Sequence, residues 1–164
     1  MARAAVLTLK KALLESGPAI LQGTVFDHYD SVTKKQVMGP RLQSAGQGPP
    51  GDAHNTGRAL DICLYSKAPP AFLAPSSERE LGYGLVNIFL FLRETMKWST
   101  MIYDQKEWNS GGTVFPRIKA EYKDAMDRIK HEHLTHIHID WSTANADESG
   151  FFDDLVSSLE DAGY

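Results

Sequence analysis

Apolar residues recur at helical spacing near both ends of the chain and in its middle. From Val6 to Leu14 they stand three and four positions apart, and Gly17-Pro18 follows as a stop signal. Phe151 to Leu159 has the same spacing. Between them, Ser77-Glu-Arg-Glu80 resembles a capping box, and a long apolar segment runs from it to near Trp98. The pattern predicts three helices, and the middle one should be the main core helix.

Three further segments alternate between apolar and polar residues with the period of two that is typical of strands. They are Arg58 to Tyr65, Met101 to Gln105 and His133 to Trp141, with Leu134 breaking the alternation in the third. The first segment places its side chains on two faces, with Leu60, Ile62 and Leu64 on one and Ala59, Asp61, Cys63 and Tyr65 on the other. After the second segment, Trp108 to Gly112 predicts a turn.

Two stretches rich in turn residues connect these elements. Glycine and proline are dense in Gly39 to Gly51, which predicts a long loop without regular structure, and Lys67 to Pro75 is a proline-rich connection. Because no repeat, low-complexity tract or linker divides the chain, we expect residues 1–164 to form a single domain. Helices combined with a few strands predict an α+β fold, with a small, mainly antiparallel sheet flanked by helices.

The composition excludes several classes of protein. The chain has 17 Lys+Arg against 21 Asp+Glu and no long basic run, so nothing in its charge favours a nucleic-acid partner. The single Cys63 excludes a disulfide within the chain and a multi-cysteine zinc site. No segment approaches the ~20 apolar residues of a membrane span, and the apolar stretch before Lys10 is too short for a secretory signal. We therefore expect no membrane partner, and synthesis in the cytoplasm without a signal peptide.

Five of the six histidines lie in two places. His54 ends the glycine-rich loop, and the other four stand in or just before the third predicted strand, at His131, His133, His136 and His138. Strand alternation puts His136, His138 and Asp140 on one face and apolar residues on the other. When two imidazoles and a carboxylate lie side by side, the loss of solvation and the repulsion between like charges raise the free energy, unless a cation lies between them.

His54 and Asp61 provide further candidate ligands for the same metal site. His54 lies on the loop and Asp61 within the following strand, while Gly57 allows the turn between them and Ala59 leaves room beside the carboxylate. If this strand pairs near the strand of His138, imidazoles and carboxylates meet at one point. Such a set of ligands suits zinc.

The motif His54-x6-Asp61 followed by His136-Ile-His138, with Gly57 and Ala59 in between, resembles the signature of a family of zinc peptidases. The family includes D-Ala-D-Ala carboxypeptidases, penicillin-insensitive murein endopeptidases, phage endolysins of L-Ala-D-Glu specificity and the amino-terminal domain of hedgehog proteins. The resemblance covers roughly residues 36 to 142. It implies a hedgehog-like or DD-peptidase-like fold, in which 102–108 forms the central strand and turn.

The same resemblance implies the roles of individual residues. His54, Asp61 and His138 correspond to the zinc ligands, and His136 lies beside the metal without binding it. His133 matches a histidine that murein endopeptidases carry three residues before the pair. Arg41, in a Gly-Pro-Arg context, is the candidate for an arginine that many relatives keep upstream of the first histidine.

Two positions depart from the family pattern. Asp52 stands where a serine is common, and Thr135 stands where the carboxypeptidase branch has its glutamate base. The candidates for the base are therefore His136, His133 and Glu132, in that order. A neighbouring histidine has a pKa suited to taking a proton from water near neutral pH, and Arg41 or protonated His133 would stabilise the developing oxyanion.

Several residues near these motifs have a purely structural interpretation. We expect His131 and Glu132 to lie in a solvated, charged turn formed by Arg128 to Glu132. Asp140 is either a hydrogen-bond acceptor behind a ligand imidazole or a surface carboxylate. Trp108 and Tyr103 are expected to pack in the core rather than to bind substrate. Neither the Gly-x-Ser-x-Gly elbow nor a phosphate-binding loop occurs in the sequence.

From the resemblance we expect a zinc-dependent peptidase that hydrolyses an amide bond in a bacterial cell-wall peptide containing D-amino acids, with peptidoglycan peptide as the partner. Without a signal peptide, it would reach the periplasm or cell wall after phage lysis or by specialised secretion into a rival, and an immunity protein would then accompany it. The alternative is a non-catalytic, zinc-containing binding module of the same fold.

Overall fold

The computed structural model describes residues 2–22, 29–30, 35–36, 41–43, 50–64 and 76–164. Its helices in chain order are α1 (Ala4–Ser16), α2 (Ser76–Phe91), α3 (Arg93–Met96), α4 (Ala125–Glu132) and α5 (Phe152–Asp161). Its strands are β1 (Tyr29–Asp30), β2 (Lys35–Gln36), β3 (Arg41–Gln43), β4 (Ala59–Cys63), β5 (Thr100–Tyr103), β6 (Lys106–Asn109), β7 (Val114–Pro116) and β8 (His136–Asp140).

A six-stranded antiparallel sheet forms the centre of the described structure, with the strand order β3-β4-β8-β5-β6-β7. β1 and β2 form a separate two-stranded sheet. These helices and strands make a small α+β fold with an antiparallel sheet, as the sequence predicts.

The chain places its last strand, β8, between β4 and β5. Asp61 lies opposite His138 in the β4–β8 pair, and Ile102 lies opposite His138 in the β5–β8 pair. Residues that face each other across antiparallel strands point to the same side of the sheet. Asp61 and His138, which are 77 positions apart in the sequence, are therefore neighbours in the sheet.

The opposite side of the sheet faces the core. Ile62, Ile137 and Ile139 are fully buried there, and burial of each such side chain contributes about 1.5–3 kcal/mol. The helices cover this face of the sheet. Two buried tryptophans bond to helix carbonyls: Trp98 Nε1 donates to Phe89 O of α2 at 2.9 Å, and Trp141 Nε1 donates to Met96 O of α3 at 2.8 Å.

Several predicted elements are confirmed. The first and last helices correspond to α1 and α5, and the strand predicted from Arg58 to Tyr65 corresponds to β4, with Asp61 and the isoleucine and leucine side chains on the predicted faces. Trp108 and Tyr103 are buried, in agreement with a packing role. Tyr65 and Lys67 to Pro75 lie outside the described residues.

Other predictions are wrong in detail. The glycine-rich segment contains β3, because Arg41–Gln43 pairs with β4. The core helix ends at Phe91, and Trp98 lies beyond the short α3. Trp108 belongs to β6 rather than to a turn, since it pairs with Val114. The predicted turn is present but shorter, at Ser110 and Gly111, where Gly112 N donates to Asn109 O at 2.8 Å. A further turn lies at Asp104 and Gln105, both of which have positive φ.

The segment expected to be a solvated turn is the helix α4, and Glu132 is only 1% exposed. His133, predicted to begin the third strand, caps this helix with φ of 52°. Within the described residues, no helix combines the length and the apolar character that crossing a membrane would require.

Candidate metal centre

A compact turn presents His54. Its backbone N–H donates to Asp52 Oδ1 at 2.9 Å, and Arg58 N donates to Ala53 O at 2.7 Å across the turn. Gly57 N donates to His54 O at 3.0 Å and adopts φ of 71°, which a residue with a Cβ rarely does. The turn is therefore closed by its own backbone, and Gly57 is the position that makes this possible.

Contacts with Trp141, just past β8, and with Arg3, before α1, fix this turn against the rest of the fold. Arg58 Nη1 donates to Trp141 O at 2.6 Å, just past the end of β8, and Arg58 Nε donates to Thr56 Oγ1 at 2.8 Å. On the other side, Arg3 N donates to Gly57 O at 2.8 Å, so the start of α1 holds the turn as well. These contacts place His54 over the sheet beside β8.

The three predicted ligands meet at one point. His54 Nε2 lies 3.1 Å from His138 Nδ1 and 3.2 Å from Asp61 Oδ1, and His138 Nδ1 lies 2.9 Å from Asp61 Oδ1. Among the described residues this is the single group of three His, Cys, Asp or Glu side chains whose ligand atoms all lie within 4.8 Å of one another.

The geometry and chemistry of this triangle fit a divalent metal ion. Tetrahedral zinc with ligand bonds of about 2.0–2.1 Å separates its ligand atoms by about 3.3 Å, close to the sides of this triangle. Two imidazole nitrogens and one carboxylate oxygen are a ligand set that zinc accepts. The side chains are 13–20% exposed, so solvent reaches this group of residues. These three residues can hold a metal ion.

Asp140 lies behind one ligand. Its Oδ2 is 3.3 Å from Nε2 of His138, while Nδ1 of the same ring faces Asp61 and His54. A carboxylate on the far nitrogen keeps the proton there and leaves the near nitrogen for a metal. Of the two interpretations of Asp140, the structure supports the acceptor behind a ligand.

The charges of the site are strongly coupled. Burial alone would raise the pKa of Asp61, but the charge of His136 and hydrogen bonds from His138 and His54 outweigh it and hold that pKa well below 3.8. Burial lowers the pKa of His138, yet hydrogen bonds to Asp140 and Asp61 raise it to about 9. Without a metal, therefore, a proton on His138 Nδ1 supplies the positive charge that the carboxylates require.

His136 and His133 lie beside the three ligands. His136 Nε2 is 4.0 Å from Asp61 Oδ1, and Thr135 Oγ1 lies 3.3 Å from His136 Nδ1. The His133 ring centroid is 4.6 Å from that of His136 and 5.5 Å from that of His138. The structure thus brings two of the three predicted base candidates, His136 and His133, close to the three ligands.

The environment of His133 keeps its imidazole neutral. Burial lowers the pKa of His133 well below 6.5, and the neighbouring His136 and His138 lower it further. The ring is therefore unprotonated at pH 7, which is the form that a general base requires. The role of His133 as a protonated oxyanion stabiliser is therefore the less favoured of the two that the sequence suggests.

The other two candidates have different outcomes. Glu132 is buried and accepts from Tyr122 Oη at 2.6 Å, from Gln105 Nε2 at 2.9 Å and from Arg128 Nε at 3.0 Å. Because these hydrogen bonds occupy both oxygens of its carboxylate, Glu132 has a structural role, and we discard Glu132 as a candidate base. The backbone of Arg41 lies in β3 opposite Cys63, which in turn lies opposite His136. The side chain of Arg41 is outside the described part, so its role stays a prediction.

Sequence reasoning missed Arg117 and Glu107, which form an ion pair at 2.7 Å. Arg117 Nε also donates to His131 O at 3.0 Å, close to His133. No motif marks either residue, because the pair forms between β6 and a loop that the sequence alone does not place together. The pairing of β6 with β7 places Arg117 near Glu107, and this pairing is known only from the structure.

Comparison of the chain with family models, with curated proteins and with solved structures found no match.

Proposed function

We propose that this chain is a zinc-dependent peptidase that hydrolyses an amide bond in the peptide of bacterial peptidoglycan. The triangle of His54, Asp61 and His138 carries the proposal, because three ligand atoms 2.9–3.2 Å apart with an accessible fourth side have the form of a catalytic rather than a closed structural metal site. The cell-wall substrate rests on the motif resemblance alone.

The side chains divide the work between binding and proton transfer. His54 Nε2, His138 Nδ1 and Asp61 Oδ1 hold the ion, and Asp140 keeps the His138 ring in the required tautomer. Zinc, when bound, supplies an activated water nucleophile and polarises the substrate carbonyl. His136 or His133 takes the proton of that water and returns it to the leaving amine. Arg41 is the candidate that stabilises the developing charge on the carbonyl oxygen.

The test combines metal analysis with cleavage of the natural polymer. Purified protein with zinc restored is incubated with murein sacculi and with isolated muropeptides, and the products are identified by mass spectrometry. We expect one zinc per chain and release of fragments, and both should be lost in His138→Ala. His131→Ala is the matched control, because His131 lies seven positions away and is absent from the ligand triangle; this variant should bind zinc and cleave normally.

The alternative of a non-catalytic zinc module gives a different outcome. One zinc per chain without cleavage of any muropeptide would contradict the peptidase proposal and favour the module. If neither zinc nor cleavage is found, both functions fail. Cleavage would also make an immunity protein worth seeking, since a cell that produces the enzyme for use against a rival must protect its own wall.

A further inference from the structure

The strand β7 forms one edge of the six-stranded sheet, and among the described residues no strand pairs with its outer side. Val114 and Phe115 in β7 are 51% and 48% exposed, and Ile118, just after the strand, is 60% exposed. These are three of the five large apolar side chains that are exposed in the described part of the chain. Such a concentration of exposed apolar side chains indicates a contact surface.

The backbone of β7 offers hydrogen bonds on this open side. Asn109 N donates to Thr113 O at 3.1 Å, and Arg117 N donates to Gln105 O at 2.7 Å, so residues 113 and 117 direct these groups toward the β6 side. In an antiparallel strand the polar groups of successive residues point alternately to the two sides. Val114 therefore directs both its N–H and its C=O outward, where a further strand could bind them.

An open cavity of about 320 Å³ lies along the same edge. Val114, Pro116 and Ile118 supply apolar walls, and Lys106 lines it as well. Lys106 lies opposite Pro116 in the sheet, and its Nζ reaches Tyr83 of α2, so these side chains are on the side of the sheet that the helices cover. The cavity thus combines apolar walls with one ammonium group.

Lys106 gives this cavity a positive charge. Its Nζ donates to Tyr83 Oη at 3.3 Å and lies 4.9 Å from the centroid of that ring, and no carboxylate of the described residues pairs with it. Asp104 also lines the cavity, but it is buried and accepts from Arg79 Nη2 and from Tyr83 Oη, each at 2.7 Å. Arg79 balances the charge of Asp104, so Lys106 is available to a carboxylate from outside.

We propose that the open edge of β7 binds an extended segment of a partner protein, in which an apolar and an acidic side chain stand two positions apart. A partner residue opposite Val114 exchanges two main-chain hydrogen bonds with it and directs its own side chain toward the cavity. The residue two positions along lies opposite Pro116, on the side of Lys106, where its carboxylate pairs with the ammonium group. Because Pro116 has no N–H to donate, it keeps the pairing short and fixes its register.

A second copy of this chain does not match the site. Another β7 edge would present Val114–Pro116, which contains no carboxylate for Lys106. The inference is also independent of the proposed function, since β5 and β6 separate β7 from the strand β8 that carries His138. The partner is therefore recognised by its main chain, one apolar side chain and one carboxylate.

Synthetic peptides test the site directly. Fluorescently labelled Thr-Leu-Thr-Glu-Thr and Thr-Glu-Thr-Leu-Thr present the two side chains in the orders that the two strand directions require, and threonine favours an extended backbone. Fluorescence anisotropy measures the dissociation constant, and ¹⁵N NMR measures hydrogen exchange of the Val114 amide. We expect one of the two peptides to bind with Kd below about 1 mM and to slow the exchange of this amide.

Variants of the edge separate the two kinds of contact. Lys106→Glu should weaken binding of the peptide at least about tenfold, and a peptide with lysine in place of its glutamate should bind this variant with restored affinity. If Lys106→Glu does not fold by circular dichroism, Lys106→Met replaces it and should also weaken binding. Val114→Pro removes an outward N–H that β6 does not use, and should weaken binding about 3- to 10-fold, the value of one neutral hydrogen bond.

Two control variants should bind the peptide normally. Leu7→Ala removes an exposed apolar side chain on α1, and His138→Ala removes a metal ligand. Loss of peptide binding in folded His138→Ala would place the peptide at the metal centre and overturn the inference. Failure of the unaltered protein to cleave muropeptides, in contrast, would count against the proposed function alone.

Two further results would overturn the docking site. One is the absence of saturable binding for both peptides, or equal binding by the unaltered protein and folded Lys106→Glu. The other is a dimer of the unaltered protein in analytical ultracentrifugation that Val114→Pro dissociates, because the edge would then belong to a second copy of the chain.

Discussion

At the scale of single residues, the site depends on where two protons reside. Asp140 holds one of them on Nε2 of His138, and any metal must displace the other from Nδ1. Both features are consequences of carboxylates on either side of one ring, with Asp61 at 2.9 Å and Asp140 at 3.3 Å.

Removal of the carboxylate behind His138 should weaken metal binding. Asp140→Asn keeps the size of the side chain but loses its charge, and such changes cost about 10- to 100-fold in metal affinity. Titration of zinc against a chromophoric chelator measures the loss. Asp161→Asn, at the exposed end of α5, is the control and should not change the affinity. Equal affinity in Asp140→Asn and the unaltered protein would contradict the role assigned to Asp140.

Zinc binding should release a proton from His138. The pKa of this residue is raised to about 9 in the metal-free protein, so at pH 7 the ring carries a proton on Nδ1 that a metal must replace. The affinity should therefore rise about tenfold per pH unit from pH 7 towards 9, and level off above it. Calorimetry in buffers with different ionisation enthalpies counts the protons released. A count of zero at pH 7 would show that His138 is not a protonated ligand.

At the scale of elements, the metal centre joins a strand pair to a turn. The strand pair was predictable, because the alternation in His136–Asp140 and Ala59–Cys63 gives each strand one polar face. A cation bound by both faces would stabilise their pairing. The turn that carries His54 was predictable as a loop. Its internal hydrogen bonds were not, because they depend on backbone conformation rather than on side-chain pattern.

The elements that sequence reasoning misassigned share a physical cause. α4 is only eight residues long, and its apolar residues are just Ala125, Met126 and Ile129, so few apolar positions mark it in the sequence. Its start is nevertheless marked by Asp124, whose Oδ1 accepts from Asp127 N at 2.8 Å. β6 and β7 are short, β7 is the edge strand of the sheet and β6 lies next to it, and their mostly exposed positions carry little alternation. Hairpin pairing defines them, of β6 with β5 and of β7 with β6.

The conformation of the turn gives a prediction of its own. Gly57→Ala forces a Cβ into φ of 71°, which costs about 1 kcal/mol and shifts the turn that presents His54. Zinc affinity should fall at least about tenfold, by the chelator competition already described. Gly163→Ala, with φ of 82° and nothing near its Cβ, is the matched control: it has the same backbone strain but should bind zinc normally. Similar affinities for both variants would show that the turn does not set the position of His54.

In the whole molecule, the two faces of the central sheet have different roles: one contributes to stability and the other carries the metal site. Its core face packs against the helices, and its other face carries the metal residues, so core variants should alter unfolding without altering metal affinity in the folded state. Gly82 in α2 tests this separation, because a Cβ there would overlap the buried ring of Tyr103. Such overpacking costs about 1–3 kcal/mol.

Gly82→Ala should therefore lower the midpoint of urea unfolding, while zinc affinity below the unfolding transition stays within about twofold of the unaltered protein. Gly150→Ala, whose Cβ meets nothing within 4 Å, is the control and should change neither quantity. A parallel loss of zinc affinity in Gly82→Ala would mean that strain on Tyr103 in β5 passes through the sheet to β8 and His138. The two faces would then be mechanically coupled, and the metal centre would depend on core packing as well as on its own ligands.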